Sequence, residues 1–466
     1  MKNTFKASWV FAMALGSAIG WGAFVLPYDW LSSAGLGGTV IGFLLGGLVI
    51  SVIAFNYGLA IKDLPVTGGA VAFAMSALGK GHGFIAGWSL VLGYACIVAL
   101  NASAVTLIAR ALVPELSMQV PMYEIAGWTV YLPEVFLAWT VTAVFAILNI
   151  KGAEISGRFQ LFSVIAMSVG VLSVAGYMGI HYWQLQPELL APFPENTSPL
   201  ASMAVILAFA PWAYVGFDSV PQLAGEFNFP PRKAMALLMW GICAATAVYI
   251  LMTVATAVAI GDDAGSYAGE AWPVAAAIKD AMGTTGFVLL IVAVSAGVLT
   301  GLNGFFAASS RVLYSLGREG LGPRSLAVLD SRSGTPKSAV ICVLVLCSVA
   351  PWFGRAALTW VVDMSSLGIT VAYFYTSYYV WWRGRQVQGD VGNSRVWRAS
   401  GLAGCLLSIL FVLLLIFPQS PGALGQQSFV ALVIWVVAGM LFYSFYSCRG
   451  FGSRRAASHS GNDSAL

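Results

Sequence analysis

The stretch Gly16-Ser-Ala-Ile-Gly-Trp-Gly-Ala-Phe24 decides how this chain folds. It lies inside an apolar segment from about Trp9 to Leu31, which is long enough to cross a hydrocarbon core of ~30 Å. Three glycines and a serine make a weak helix, so we expect the helix to be interrupted here. Within a membrane, an interrupted helix must bury its free backbone groups in protein or direct them toward a cavity.

A second apolar segment is interrupted about 200 residues later, at Tyr214-Val-Gly-Phe-Asp218. Paired interrupted helices in corresponding halves of a chain are the best sequence indication of a transporter's binding site. The two stretches therefore predict a site where the two interrupted helices meet.

Composition places the chain in a membrane. It has 466 residues, of which 59% are hydrophobic and 9% are charged, which excludes an ordinary soluble protein. Twelve apolar segments predict an all-α polytopic membrane protein with about 12 transmembrane helices. Their approximate bounds are 9–31, 37–61, 84–113, 133–150, 158–180, 199–225, 233–260, 285–316, 337–353, 356–382, 399–417 and 428–448.

The distribution of charge predicts the orientation. If both termini are cytoplasmic, all but three of the 23 lysines and arginines lie on the inner side, the exceptions being Arg110, Lys279 and Arg355. Inner loops are enriched in these residues, so we expect a multi-pass protein of the cell (inner) membrane. No basic stripe indicates nucleic-acid binding. The six cysteines are scattered singly, so neither a disulfide framework nor a metal or cofactor site is expected.

Four motifs together resemble the amino acid–polyamine–organocation (APC) superfamily of transporters, of the amino acid permease type. Gly16–Pro27 resembles its first-helix signature, and Ala213–Ser219 with Ala224–Asn228 resembles its sixth-helix signature. Ser310–Gly320 resembles the end of its eighth helix, and Asn149–Gly152 resembles its fourth-to-fifth junction. The resemblance implies a LeuT-type fold, with a 5+5 inverted repeat, broken helices 1 and 6, and two accessory helices.

That fold implies a division of the chain into a core and appended segments. The expected units are a ten-helix transport core (1–382) with repeats at about 9–180 and 199–382, a cytoplasmic linker (383–398), accessory helices 11–12 (399–448) and a disordered cytoplasmic tail (449–466). In the outer loop 261–284, Ala271–Lys279 is predicted to form a short amphipathic helix.

The backbone of the first interruption is predicted to bind substrate. The N–H groups at the start of a half-helix carry a partial positive charge and suit a substrate carboxylate. The residues concerned are Ser17, Ala18, Ile19, Gly20 and Gly22. Gly16 and Gly20 also form a small-xxx-small pattern that serves helix packing, but packing alone gives no reason for a second interrupted helix.

Residues at the second interruption are also predicted to bind substrate, namely Trp212, Tyr214, Gly216 and Phe217. Aromatic faces beside a break can cover an amino acid side chain or hold a cationic group. By resemblance, Trp212 matches a tryptophan that stacks on the guanidinium in arginine/agmatine antiporters. The alternative is that these are ordinary core or interfacial aromatic residues.

Polar residues inside apolar segments complete the predicted site. Asp218 is an acid inside such a segment, and such acids are costly and by default functional. It carries a proton during transport or caps the inner half-helix, and the two roles are compatible. Asn101 and Asn303 reach the substrate or form interhelical hydrogen bonds. By resemblance, Phe305 lies near a gating aromatic residue of the antiporters, and core packing is the alternative.

The resemblance suggests residues for ion coupling, but it leaves open which ion is coupled to transport. As in sodium-coupled relatives, Ser295 and Thr300 on helix 8 could ligate a cation against carbonyls of helix 1, or simply bond to their own helix. Several proton-coupled members carry a lysine in the fifth helix, where this chain has Met167. That difference favours exchange over obligatory proton symport.

The sequence favours a secondary active transporter of amino acids or related amines in the plasma membrane, working by alternating access as an exchanger or proton-coupled symporter. The expected partners are that small-molecule substrate, H⁺ or Na⁺, and the lipid bilayer. A polyamine or other amine carrier, a channel and a non-transporting nutrient sensor are the alternatives. A membrane enzyme is disfavoured because the three histidines fall outside the apolar segments and no nucleophile–base set is evident.

Overall fold

The computed structural model describes residues 4–125, 128–195, 197–262, 264–354, 356–386, 391–417, 420 and 423–459. Within them the chain is a bundle of helices with one pair of short antiparallel strands, β1 (Pro121–Ile125) and β2 (Trp128–Tyr131). The helices are α1 (Ala7–Ala18), α2 (Gly22–Val25), α3 (Pro27–Asp63), α4 (Gly69–Leu78), α5 (Lys80–Leu112), α6 (Pro114–Ser117), α7 (Leu132–Lys151), α8 (Ala153–Leu185), α9 (Pro199–Ala213), α10 (Arg232–Ile260), α11 (Pro273–Arg318), α12 (Lys337–Cys347), α13 (Ala356–Gln386), α14 (Val391–Ile416) and α15 (Gln426–His459).

The helices have the length and composition of membrane spans. Across the described ranges, nine helical segments are long and apolar enough to cross a membrane, and three shorter apolar ones accompany them. The protein is therefore an all-α polytopic membrane protein, as its sequence predicts, with β1 and β2 as a small addition. The long helix α3 covers the end of the first predicted segment and all of the second. It kinks between them at Gly35, whose φ is 69°. A side chain there would collide with the carbonyl of Pro192, 2.6 Å away.

The first apolar segment is broken where its glycines predict. Helix α1 ends at Ala18, and Ile19 adopts an extended conformation. The helix resumes at Gly22 and continues through Leu26 into α3, because the N–H of Leu26 bonds to Gly22 O and that of Trp30 to Leu26 O. Residues 19–21 therefore separate two half-helices.

The second apolar segment is broken in a different way. Helix α9 ends at Ala213, and a 3₁₀ helix, Phe217–Glu226, follows after Gly216. Gly216 has a φ of 139°, which residues with a side chain rarely adopt. A Cβ at this position would also overlap the backbone of Ser17 and Ala18. The glycine therefore allows the two broken segments to touch.

A ladder of small residues holds α9 against α3. Glycines at spacing four along α3 face α9, and Cβ atoms added to them would lie 2.6–2.9 Å from Ser202, Ile206 and Ala210. Such stripes let helix backbones approach closely in a membrane, where packing rather than water drives association. The glycines are Gly38, Gly42 and Gly46. The half-helix before the second break is thereby fixed to α3.

Helices extend into several segments that the sequence predicts to be a loop, a linker or a tail. The predicted amphipathic helix is present as the first part of α11, which kinks at Gly283. The linker 383–398 is helical at both ends, since α13 runs to Gln386 and α14 begins at Val391, while 387–390 lie outside the described residues. Helix α15 continues to His459 into the predicted tail, whose last part, 460–466, also lies outside them. The three histidines lie near helix ends.

Candidate functional site

The two broken segments meet at a shared backbone junction. Tyr249 of α10 joins them, because its hydroxyl lies 3.0 Å from the Ala18 carbonyl and 2.6 Å from the Ala213 carbonyl. These carbonyls end α1 and α9, where no intrahelical donor reaches them. One buried hydroxyl, which has a single proton to donate, is therefore shared between the last carbonyls of the two half-helices.

A small cavity of about 30 Å³ lies at this junction. That space holds about two water molecules, fewer atoms than even glycine has. The walls must therefore move apart before an amino acid can bind. The lining residues come from α1, α2, α5, α9, α10, α11 and the two breaks: Ser17, Ala18, Gly20, Trp21, Gly22, Ile97, Leu100, Asn101, Trp212, Ala213, Val215, Tyr249 and Phe305.

Three buried polar atoms of lining residues have no hydrogen-bond partner within the described part of the chain: Ser17 Oγ, Trp21 Nε1 and Asn101 Oδ1. The amide nitrogen of Asn101 donates one of its two hydrogens to Ile97 O at 3.0 Å, whereas its oxygen accepts no hydrogen bond. An unpaired buried polar group costs roughly 1–3 kcal/mol. One indole donor, one amide acceptor and one hydroxyl therefore belong to residues that line the cavity.

Aromatic side chains wall the cavity. The indoles of Trp21 and Trp212 meet edge to face with ring centroids 6.3 Å apart. Trp212 packs over Gly22, where a Cβ would lie 2.6 Å from its ring. Phe305 is buried and contacts Tyr94, with centroids 5.5 Å apart. The cavity therefore has an apolar enclosure with a few polar groups, as small-molecule sites commonly have.

Asp218 lies buried beside the second break and does not line the cavity. Its Oδ1 accepts a hydrogen bond from the Gly216 N–H at 2.8 Å, and its Oδ2 accepts one from the Tyr94 hydroxyl at 2.7 Å. Gln222 donates to the Asp218 carbonyl at 3.1 Å. In this conformation the acid holds the backbone of the break, and both of its carboxylate oxygens are occupied.

Three other predicted residues of the second break lie away from the cavity. The Tyr214 hydroxyl donates to Phe43 O at 2.7 Å, which ties the break to α3. Phe217 stacks on Tyr373 of α13, with centroids 5.6 Å apart. Gly216 contacts the backbone of the first break. These residues shape the junction, while Trp212 is the predicted residue of this segment that reaches the cavity.

Asn303 also lies away from the cavity, in a polar cluster between α8 and α11. It donates to Gln160 Oε1 at 2.7 Å and to Ser156 O at 3.1 Å. Its own oxygen accepts from Ser156 Oγ at 2.8 Å and from Asn149 at 3.3 Å. This geometry matches the interhelical hydrogen bonding that was the alternative role.

The predicted cation ligands are separated from one another. The Thr300 hydroxyl lies 2.8 Å from Gly16 O and 2.7 Å from Gly297 O, so it bridges α1 and its own helix. Ser295 is half-buried and does not line the cavity. The Ile19 carbonyl faces Gly297, where a Cβ would lie 3.0 Å from that oxygen and 3.6 Å from Met167 Sδ. Across the described residues, no cluster of three or more His, Cys, Asp or Glu side chains could hold a metal.

A buried ion pair lies beside residue 5, at the end of the second broken segment. Arg311 and Glu226 form two hydrogen bonds, of 2.8 and 3.1 Å, with side chains only 2% and 4% exposed. The N–H of Phe5 donates to Glu226 O at 2.9 Å, and the N–H of Asn228 donates to Phe5 O at 3.1 Å. The start of the chain is therefore fastened to the end of the second broken segment.

Sequence reasoning missed part of the site. Ile97 lies one turn before Asn101 on α5, so helical periodicity places it on the same face, whereas Leu100 directly precedes Asn101 and has no such signal. Trp21 lies within the glycine-rich stretch itself, where the glycines and not the indole indicate the break. Tyr249 gives no local signal, because it is one tyrosine in an uninterrupted apolar helix.

Comparison with known proteins shows what the chain resembles. The amino acid permease family matches residues 5–438. The chain is 26% identical over 384 residues to the branched-chain amino acid permease BcaP of Lactococcus lactis subsp. cremoris, covering 78% of each chain. It is 25% identical over 430 residues to the lysine-specific permease LysP of Escherichia coli, covering 86% of this chain and 82% of that one. It is 22% identical over 460 residues to the methylthioribose transporter of Bacillus subtilis, covering 96% and 94%.

Proposed function

Because the chain belongs to the amino acid permease family of the APC superfamily, we propose that it is a secondary active transporter of amino acids that works by alternating access. The observation that carries the proposal is that three residues lining a small cavity between two broken helices each have a buried polar atom without a hydrogen-bond partner among the described residues. A cavity of this kind is a default binding site, and its position matches that of transporter substrate sites.

The chemistry of the junction suits the groups common to all amino acids. The half-helix that resumes at Gly22 begins with N–H groups that have no intrahelical partner, so it attracts a carboxylate. Asn101 Oδ1 and Ser17 Oγ are free to accept hydrogen bonds from an ammonium. We place the substrate carboxylate toward Gly20 and Gly22, and the ammonium toward Asn101 and the ends of α1 and α9.

Closure on the side of residue 5 supports alternating access. Substrate can leave toward that side only if the Arg311–Glu226 pair and the Phe5 backbone hydrogen bonds move or break. From the distribution of lysine and arginine, we assign this side to the cytoplasm. The proposed architecture remains a LeuT-type inverted repeat over residues 1–382, with α14 and α15 as accessory helices.

We propose that the protein exchanges one substrate for another across the membrane, with proton symport as the alternative. Met167 is fully buried close to the Ile19 carbonyl, where its thioether carries no charge. Asp218 is the acid nearest the junction, and both of its oxygens are used to hold the second break. A proton-coupled cycle would therefore have to release Asp218 from Gly216 or Tyr94.

Counterflow in proteoliposomes tests the proposal. Vesicles loaded with each unlabelled amino acid, or with putrescine, should accelerate uptake of the same labelled compound if the protein carries it. We expect acceleration by amino acids and none by putrescine, because no carboxylate lies on the cavity to hold a second ammonium.

Protein-free liposomes and a Gly20→Leu protein reconstituted at equal density are the controls. Ligand binding without any counterflow would indicate a non-transporting sensor. The absence of both binding and counterflow for every amino acid would contradict the proposed function.

A further inference from the structure

We propose that Trp21 determines which substrate this transporter accepts: its indole N–H donates a hydrogen bond to the substrate, and its ring restricts the site to small neutral amino acids. This inference rests on the proposed function, since it assigns a substrate class to the same cavity.

The position of Trp21 gives its side chain access to the ligand. Trp21 lies in the first break, immediately before the half-helix that starts at Gly22, and its own backbone is already helical (φ −56°, ψ −31°). It lines the cavity together with the backbone of Gly20 and Gly22. A group bound at the start of this half-helix is therefore within reach of the indole.

The Trp21 N–H lacks a partner that other tryptophans have. Its Nε1 is buried and unbonded among the described residues, whereas Trp272 Nε1 donates to Phe24 O at 3.0 Å and Trp88 Nε1 donates to Trp435 O at 3.0 Å. A buried indole usually finds an acceptor. A substrate carboxylate or hydroxyl would supply the acceptor that the protein does not.

The Trp21 ring occupies the space that a larger side chain would need. It meets Trp212 edge to face, and Trp212 lies directly over Gly22. Both indoles pack against a cavity of about 30 Å³. Since interiors are close-packed, each added methylene of a substrate must displace protein atoms. Glycine, alanine and serine therefore require the smallest displacement.

The lining also selects against charge on the substrate side chain. Among the described residues, no lysine, arginine, histidine, aspartate or glutamate lines the cavity. Both oxygens of the nearby Asp218 already accept hydrogen bonds from Gly216 and Tyr94. A lysine or arginine side chain would therefore find no ion-pair partner among the lining residues, and Asp218 could pair with it only by giving up its bonds to Gly216 or Tyr94. Burying such a charge without a partner is strongly unfavourable.

Equilibrium binding to the detergent-purified protein tests this inference. Labelled L-alanine is competed with glycine, L-serine, L-leucine, L-phenylalanine and L-lysine. Wild type should bind alanine and serine at least about tenfold more tightly than leucine, phenylalanine and lysine. Trp21→Ala opens the space beside Trp212 and should raise the affinity for leucine relative to alanine by about tenfold or more.

Trp21→Phe keeps a ring but removes the donor. It should weaken alanine binding about 3- to 10-fold and preserve the order of ligand size, because a single neutral hydrogen bond is lost. Trp88→Phe is the matched control: it also removes an indole N–H, in this case one that is bonded to Trp435 O outside the cavity, and alanine affinity should not change.

Three results would overturn the inference: wild-type affinity for leucine or lysine equal to that for alanine, an unchanged leucine-to-alanine ratio in Trp21→Ala, or unchanged alanine affinity in Trp21→Phe. If Trp21→Ala does not fold, the wild-type series and Trp21→Phe still decide. Tight binding of leucine or lysine with active counterflow would overturn only this inference. The absence of binding and counterflow for all amino acids would overturn the proposed function as well.

Discussion

The two breaks differ in how their polar groups are satisfied. At the second break, the Gly216 N–H bonds to Asp218, the Ser219 hydroxyl bonds to the Gly216 carbonyl, and Tyr94 bonds to Asp218. At the first break, Ser17 Oγ and Trp21 Nε1 have no partner among the described residues, although both are buried. The second break is thus satisfied by the protein itself, whereas the proposed ligand would supply the missing partners at the first.

This difference suggests that the two breaks have different roles. A break that supplies its own hydrogen bonds keeps its shape without substrate, so it can act as a fixed support or hinge. A break with unpaired groups is less stable when empty and gains stability when substrate binds. The first break should therefore govern ligand affinity, and the second should govern the stability of the fold.

The largest expected effect on binding comes from filling the first break. Gly20→Leu places a bulky side chain between the start of the half-helix and Asn101, and should abolish measurable amino acid binding, a loss of more than about 100-fold. Gly20→Ala is the matched control, because a Cβ there would lie 3.6 Å from Asn101 Oδ1 in ordinary contact. Equilibrium binding to monodisperse protein measures both. Wild-type affinity in Gly20→Leu would place the substrate elsewhere.

A substitution at the second break should lower the stability of the fold. Gly216→Ala combines a φ of 139° with overlap against the backbone of Ser17 and Ala18. It should lower the free energy of unfolding by about 3 kcal/mol, because both strain and a clash are introduced. Thermal unfolding in detergent measures the change. Gly176→Ala, where a Cβ meets nothing within 4 Å, should leave Tm nearly unchanged. Equal Tm values for the two variants would contradict a rigid second break.

The Asp218→Asn variant distinguishes two roles of Asp218, holding the second break and carrying a proton. The amide can accept from Gly216 and donate to the Tyr94 hydroxyl, which still lies 2.9 Å from the Asp218 carbonyl. We therefore expect a loss of stability of about 1–2 kcal/mol, with counterflow retained. If Asp218 carries a proton in the cycle, the pH dependence of transport flattens in this variant. An unchanged pH profile would reduce Asp218 to its role in holding the break.

Trp212→Leu should give the smallest effect. It keeps an apolar side chain at the edge of the second break but removes the aromatic face. Small neutral ligands should bind within about twofold of wild type, whereas ligands with flat or cationic side chains should lose about 2- to 30-fold. Competition binding measures the pattern. A uniform loss for all ligands would mean that Trp212 only packs over Gly22.

The breaks themselves are readable from the sequence because their causes are local. Gly20 and Gly22 weaken the first helix, and Gly216 permits a φ that few other residues adopt. The polarity of Asn101 in an apolar segment also indicates a role, and the structure brings it to the cavity with Ser17, Trp212 and Phe305.

The features of the site that cannot be predicted from the sequence depend on contacts between residues far apart in the chain. Tyr249 meets Ala18 across 231 positions, and no periodicity indicates that pairing. Asn303 has the same sequence signal as Asn101, but Ser156 and Gln160 of α8 satisfy it. Whether a polar residue is free for a ligand depends on its neighbours in the folded chain, and its own sequence context does not reveal them.

Hydrogen exchange measured by mass spectrometry tests the division between the breaks most directly. Purified protein is compared with and without saturating L-alanine, and peptides covering residues 19–25 and 214–220 are followed. The account predicts a clear slowing of exchange at 19–25 and little change at 214–220, whose Gly216 N–H is already bonded to Asp218. Slowing confined to 214–220, or none at 19–25 while alanine is bound, would contradict it.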